Sequence, residues 1–164
     1  MKITVLSDTH MTRGGKKFPE VLVKDLEESE LIIHAGDFQT VEIFNSLKEY
    51  GELTAVAGNV DEEELKQILP TKTTRVLHGI NIGIVHGDGK GKTTEKRAEE
   101  AFSNEAVDLI IFGHSHIPYL RYHQGVLLFN PGSPADKRRQ PAYSHGVLTI
   151  EDESSWSIHH KFYT

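Results

Sequence analysis

The sequence predicts an α/β protein built from layered sheets, and three features carry that prediction. Short apolar, β-rich runs recur along the chain, and five of them close on a polar cluster. Through the first two-thirds of the chain these runs alternate with stretches of helical periodicity. Beyond His116 the helical pattern stops and only strand-like runs follow, which favours packed sheets over one open parallel sheet. At 164 residues, one domain spanning 1–164 is expected.

The elements follow in order. Ile3 to Leu6 is the first strand run and leads into Ser7, Asp8, Thr9 and His10. A helix is expected over residues 18–28, where Pro19 suits a first turn and Val21, Leu22 and Leu26 share a stripe. Leu31 to Ala35 leads into Gly36 and Asp37. The next helix, residues 40–50, has Thr40 in N-cap position and Val41, Phe44 and Leu47 at three-residue spacing. Leu53 to Ala57 leads into Gly58, Asn59, Val60 and Asp61, and a short helix over 62–69 stops at Pro70. Ile80 to Val85 leads into His86, Gly87 and Asp88. A fourth helix is expected over 94–106, with Ala98, Ala101 and Phe102 along it. Leu109 to Phe112 leads into Gly113, His114, Ser115 and His116. The last strands are Tyr119 to Tyr122, Val126 to Phe129, Gly146 to Ile150 and Trp156 to Phe162. Between them stand Gln124-Gly125, the loop 131–141 and Asp152-Glu153-Ser154.

Composition excludes several classes. The chain has no cysteine, so disulfide scaffolds, thiolate zinc sites, iron–sulfur clusters and cysteine nucleophiles are out. Its 24 acidic and 18 basic residues give a formal charge of −6, which argues against nucleic acid as a stable partner. No apolar stretch approaches the ~20 residues that span a bilayer, and the first residues do not make a secretory signal. A soluble cytoplasmic protein is expected. It carries ten histidines, a high count for its length.

Where those histidines fall gives the function. In open α/β sheets the carboxyl ends of parallel strands face one crevice. The five polar clusters would bring Asp8, His10, Asp37, Asn59, His86, His114 and His116 to that edge, all oxygen or imidazole donors. Such a set suits manganese, zinc, iron or cobalt better than soft metals. Singly, each cluster has a structural explanation: a capped turn at Asp8-Thr9-His10, a loop opening at Gly36-Asp37, a turn residue in Asn59, a strand-end ring in His86. His114 and His116 are harder to dismiss, because residues two apart point to one side and two imidazoles are costly to bury unused. The conjunction of all five argues for one site. His34, inside an apolar run, reads as a core histidine, whereas His78, His123, His145, His159 and His160 show no partner pattern.

The order Asp8-x-His10, Gly36-Asp37, Gly58-Asn59, His86-Gly87 and Gly113-His114-x-His116 resembles the calcineurin-like metallophosphoesterases. The small, single-domain bacterial and archaeal phosphodiesterase branch, which also carries the Asn130-Pro131-Gly132-Ser133 segment, is the more similar part of that family. The resemblance covers residues 1–150. It implies a four-layer α/β/β/α sandwich of two mixed sheets flanked by helices, with two divalent metal ions at their edge. Asp8, His10, Asp37 and His116 would hold one ion. Asp37, Asn59, His86 and His114 would hold the other, with Asp37 bridging and Asp37, Asn59 and His86 at the centre of catalysis. Manganese is the first expectation, with zinc, iron, cobalt or nickel as alternatives. The implied reaction is phosphodiester hydrolysis by in-line attack of a metal-bridging hydroxide on phosphorus, with a small phosphodiester as substrate and the homo-oligomeric state left open.

Two positions depart from the wider family. Val60 stands where many members place a histidine thought to protonate the leaving alkoxide, and Thr40 stands where many place a further carboxylate. Two rivals are weighed against this reading. Residues 87–93 resemble a phosphate-cradling loop, but the spacing to Gly91-Lys92-Thr93 would need glycine where His86 stands. Lys90 and Lys92, like the run Lys137-Arg138-Arg139, read as solvated charge that could approach a substrate phosphate. The other rival is a non-catalytic scaffold on the same fold, as in the eukaryotic retromer complex. A scaffold can lose ligands without penalty, whereas this chain keeps every expected one.

Overall fold

The structure is a computed structural model that describes residues 1–12 and 17–164. One sheet is built from β1 (Lys2–Leu6), β2 (Leu31–His34), β3 (Leu53–Ala55), β9 (Tyr143–Asp152) and β10 (Ser155–Tyr163), in the order β10-β9-β1-β2-β3. The other contains β4 (Lys72–Leu77), β5 (Ile80–Val85), β6 (Leu109–Ile111), β7 (Tyr119–His123) and β8 (Val126–Asn130), in the order β4-β5-β6-β8-β7. Both sheets are mixed: β1, β2 and β3 run parallel, as do β5, β6 and β8, while the hairpin strands β10, β4 and β7 form three of the four edges and β3 the fourth.

Strand alternation explains the layering. Ile3 and Val5 of β1 and Leu31 and Ile33 of β2 face inward, against Ile82, Ile84, Leu109, Ile111 and Phe129 of the second sheet. Leu6 and Ile32 face outward and are covered by Leu22 and Leu26 of α1 (Glu20–Glu28), Ile43 and Leu47 of α2 (Val41–Lys48), and Leu65 of α3 (Glu63–Ile68). On the far side, Ala98 of α4 (Thr94–Ala101) and Phe102 cover Ile110 and Leu128. The result is the expected four-layer α/β/β/α sandwich.

The element boundaries differ from the sequence expectation in instructive ways. Thr40 caps α2 as expected, its Oγ1 accepting the Ile43 N–H at 3.4 Å. The run through Ala57 leaves the ladder after Ala55, because the Ala57 N–H turns to the Pro70 carbonyl. The fourth helix stops at Ala101 rather than 106, since Phe102 departs from helical geometry at φ −115°, ψ 16°. Strand β4 is absent from the sequence reading. It is an exposed, alternating edge strand, joined to β5 through His78 and Gly79, both with positive φ. That two-residue turn is a hairpin signal the surrounding polar residues obscured.

One polar cluster lies away from the strand-end site. Asp25 of α1 is 1 % exposed and takes Lys2 Nζ at 2.8 Å, Lys161 Nζ at 2.7 Å and His145 Nε2 at 2.8 Å. It thereby clamps α1 to β1, β9 and β10. Burial alone would raise its pKa, but the two ammonium groups overcome this and hold the carboxyl well below the usual carboxylate range. A depressed pKa gives stability that is present above about pH 4 and lost as pH falls toward the folded-state value. Asp25→Ala is expected to cost about 3 kcal/mol at neutral pH, because partnered buried charges are left behind. Urea unfolding of both proteins at pH 7 and pH 3 measures this. A gap that does not narrow in acid would remove the ionised clamp from the account.

Candidate metal centre

The carboxyl ends of β1, β2, β3, β5 and β6 meet at one edge of the sandwich, and the structure brings all seven donors together there. The two sheets are tied at this edge through His86. Its Nδ1–H donates to the Ala35 carbonyl at 2.7 Å, which turns Nε2 toward the centre. That Nε2 lies 3.1 Å from Asp37 Oδ2, 3.1 Å from Asn59 Oδ1 and 4.0 Å from Asp8 Oδ1. His10 Nε2 approaches the same Asp37 Oδ2 at 3.3 Å. His116 is oriented likewise: Nδ1–H donates to the Asp136 carbonyl at 2.5 Å, and Nε2 sits 3.5 Å from Asp8 Oδ1. His114 completes the ring with its Nδ1 3.1 Å from Asn59 Oδ1 and its main-chain N–H on Asp8 Oδ1.

The donor set fits divalent metal ions. Among the described residues, the buried Nε2 atoms of His10 and His116 find no hydrogen-bond partner and face carboxylates, Asp37 Oδ2 at 3.3 Å and Asp8 Oδ1 at 3.5 Å, an arrangement that a bound cation would satisfy. Among the described residues, ligand-type atoms within 4.8 Å of one another form two groups, Asp8 with His10 and His116, and Asp8 with Asp37 and His86. Asp8 is common to both groups, whereas one atom of Asp37 touches both His10 and His86. Asp8, Asp37, His86 and His116 are buried, while Asn59 and Val60 are exposed, so the centre opens on their side. Burial opposes charge on His10 and His86, but Asp37 and Asp8 overcome it and raise both rings to a pKa of about 9 in the metal-free protein. The same contacts hold both carboxyls below their usual range against the opposing effect of burial.

Backbone conformation marks the same residues. Asp8, His10, Asp37, His114 and His116 all have φ between 42° and 68°, in the left-handed region. Each such residue costs roughly 1–2 kcal/mol, and strain of this kind clusters where side chains must be aimed. The loops also pack without room for side chains. A Cβ on Gly58 would lie 1.9 Å from Asp37 Oδ1, and one on Gly113 would lie 1.8 Å from Ser7 Oγ.

Several contributors were not assigned from the sequence. Ser7 Oγ donates to Asp8 Oδ2. Ser133 Oγ donates to the Asp8 carbonyl at 2.7 Å and accepts the Asp136 N–H at 2.8 Å, so it supports Asp8 and the carbonyl that orients His116. Asn130 Nδ2 donates to the Gly113 carbonyl at 2.9 Å. The Asn130–Ser133 segment was the available signal. Asp61, in the same cluster as Asn59, is 4 % exposed and faces the main chain rather than the donors.

The residues singled out as rivals fall outside the donor ring. Arg97 Nε donates to the Gly87 carbonyl at 2.8 Å and its Nη1 to the Lys92 carbonyl, so loop 87–93 folds around an arginine side chain. Lys92 pairs with Glu100 and Lys90 is exposed. Lys137 donates to the Gln140 carbonyl and lies over the Tyr143 ring, while Arg138 approaches Asp136 at 3.9 Å. His34 is the core histidine expected: fully buried, stacked 3.6 Å from Phe38, and pushed by burial to a pKa of about 3. Three histidines without a pattern in the sequence have partners, His145 on Asp25, His123 on Glu99 and His160 on the Asn130 carbonyl.

Comparison with known proteins points to a family. The sequence model of the calcineurin-like phosphoesterase superfamily domain matches residues 1–153. Probable metallophosphoesterase MJ0623 of Methanocaldococcus jannaschii is 35 % identical over 154 residues, covering 93 % of this chain and 78 % of the relative. Phosphodiesterase MJ0936 of the same organism is 26 % identical over 162 residues, covering 92 % and 90 %. Among solved structures, wild-type Vps29 from Entamoeba histolytica complexed with zinc superposes with a TM-score of 0.75 at 21 % identity over 99 % of both chains. That last likeness is one of fold.

Proposed function

The chain belongs to the calcineurin-like phosphoesterase superfamily, and from that premise we propose that it is a divalent-metal-dependent phosphodiesterase acting on a small phosphodiester through a two-metal site. The buried Nε2 atoms of His10 and His116, which face Asp37 and Asp8 and find no hydrogen-bond partner among the described residues, carry the reading. When bound, two divalent ions supply a hydrolytic nucleophile near neutral pH and neutralise charge on the phosphoryl oxygens during in-line displacement. Asp8, His10, Asp37 and His116 would hold one ion and Asp37, Asn59, His86 and His114 the other. Asp37 Oδ2 is suited to sharing, because its partner oxygen Oδ1 already accepts the Val60 N–H at 3.0 Å. Ala35 and Asp136 fix two of the rings through Nδ1, so each presents Nε2 as the lone pair. Manganese is the ion we favour, and zinc, iron, cobalt or nickel suit the same donors.

The name of the 26 %-identical relative supports a diester substrate. A scaffold on the same fold is the competing reading, and the complete donor set supports the hydrolase. The reading takes the protein as cytoplasmic and without a stable nucleic-acid partner, in keeping with its charge of −6. Among the described residues, no helix is long and apolar enough to cross a membrane.

The test is turnover of an aryl phosphodiester. Exhaustive chelation is expected to abolish it and manganese to restore it, whereas a scaffold would turn over nothing under either condition. A pH dependence accompanies this. His10 and His86 must be neutral to ligate, yet both hold a proton up to about pH 9 in the metal-free protein. Metal affinity is therefore expected to rise with pH through that window, and the acid limb of activity to move to lower pH with excess metal. An acid limb that stays fixed as metal is raised tenfold would contradict ligation by these rings.

A further inference from the structure

Asp61 stands directly behind the donor ring without facing it. Its carboxylate accepts three main-chain N–H groups: Asp37 at 3.1 Å and Gly58 at 2.7 Å on Oδ2, and Gln39 at 2.8 Å on Oδ1. Two of these donors belong to the loop after β2 and one to the loop after β3. Asp37 and Gln39 are both left-handed, at φ 63° and 85°, so Asp61 satisfies the N–H groups of two residues held in a strained conformation. The grip is reciprocal. Asp61 holds the main chain of Asp37, while Asp37 Oδ1 holds the main-chain N–H of Val60, the residue before Asp61. This latch occupies Oδ1 and leaves Oδ2 of Asp37 turned toward both His10 and His86. It also fixes Gly58, next to Asn59, at a distance from Asp37 that admits no Cβ.

We propose that Asp61 is a positioning residue that locks the Asp37 and Asn59 loops together and so builds the second ion's subsite, the one completed by His86 and His114. The first ion's residues are supported separately, Asp8 by Ser7 and Ser133 and His116 by the Asp136 carbonyl. Loss of Asp61 therefore acts most on the second subsite, which draws both Asp37 and Asn59 from the loops it joins, and less on the first, which draws Asp37 alone. The assignment rests on the two-metal reading above. Carboxylates and carbonyls that orient metal ligands are worth roughly 10–100-fold in metal affinity or activity. Asparagine at this position keeps one acceptor oxygen but turns an amide N–H2 toward a main-chain donor, whereas alanine leaves all three N–H groups without an acceptor.

The experiment is manganese titration of chelator-stripped wild-type protein, Asp61→Asn and Asp61→Ala, read by calorimetry and by paramagnetic resonance, which separates paired from isolated manganese. Wild type is expected to take up two ions and give the paired signal. Asp61→Asn is expected to weaken the second ion about 10-fold and Asp61→Ala about 100-fold, while the first ion, which shares only Asp37 with these loops, weakens by about threefold or less in either variant. At stoichiometric metal both variants show the isolated-ion signal, a lower kcat and a KM within twofold of wild type, and excess manganese restores pairing. Equal pairing in wild type and both variants overturns the assignment while leaving the two-metal reading intact. Equal weakening of both ions, or variants that fail to fold, makes Asp61 a staple of the fold and overturns it too. A wild-type protein that never pairs two ions overturns the parent reading, and this assignment with it.

Discussion

Asp37→Ala is expected to lower phosphodiester turnover by about 10³-fold or more and to reduce bound metal from two ions per chain to one or none. The size follows from the geometry. A single atom, Asp37 Oδ2, lies 3.3 Å from His10 Nε2 and 3.1 Å from His86 Nε2, so the carboxylate serves both halves of the donor ring. Removing it takes one negative charge from between the two proposed cations and frees the Val60 N–H that its other oxygen accepts. An ion in such a site stabilises transition-state charge by several kcal/mol, and each 1.36 kcal/mol is tenfold in rate. His10→Ala removes a donor from one side only and is expected to disturb that ion more than its neighbour. Metal content by elemental analysis, alongside the rate, checks both variants. Two tightly held ions in Asp37→Ala would show that Asp8, the carboxylate common to both ligand groups, is the shared ligand instead.

The second large effect concerns the leaving group. Val60 is 43 % exposed at the mouth of the centre, with its main-chain N–H on Asp37 Oδ1, and its aliphatic side chain offers no proton where a neighbouring family pattern would place an imidazole. General-acid help is worth roughly 10²–10⁴ in rate, and only where the departing oxygen needs a proton in the transition state. The rate is therefore expected to fall steeply as the leaving group's pKa rises, from nitrophenolate to alkyl or ribose alkoxides. Alkyl monoesters should be especially poor substrates. Val60→His is expected to accelerate alkyl esters by up to about 10²-fold and nitrophenyl esters little. The dependence of rate on leaving-group pKa in both proteins decides it. A shallow slope in the unmodified enzyme would mean that another group delivers the proton, and the role assigned to Val60 would fall.

The clustering of these donors was legible in the sequence, because the fold brings the strand ends that carry them to one edge. Asp8, His10, Asp37, Asn59, His86, His114 and His116 sit immediately after apolar runs whose inward and outward residues alternate as the sandwich requires. What escaped was carried by the main chain. The Ala35 and Asp136 carbonyls that aim His86 and His116 have no side-chain signature. Asp61 was visible as a residue but not as an acceptor of three amides from two loops, since that depends on left-handed turns at Asp37 and Gln39. Strand β4 escaped for another reason: an edge strand with alternate residues in solvent carries little apolar signal. The Asp25 clamp joins residues 2, 25, 145 and 161, a pairing that no local pattern encodes.

The central claim is that turnover requires two ions held by these seven residues. The most direct measurement is the rate of aryl phosphodiester hydrolysis during stepwise manganese addition to stripped protein, with bound metal counted at each step. The account predicts negligible turnover without metal, a rise that tracks the second ion and a plateau at two ions per chain. Full turnover in exhaustively demetallated protein, or a plateau reached at a single ion, would contradict it.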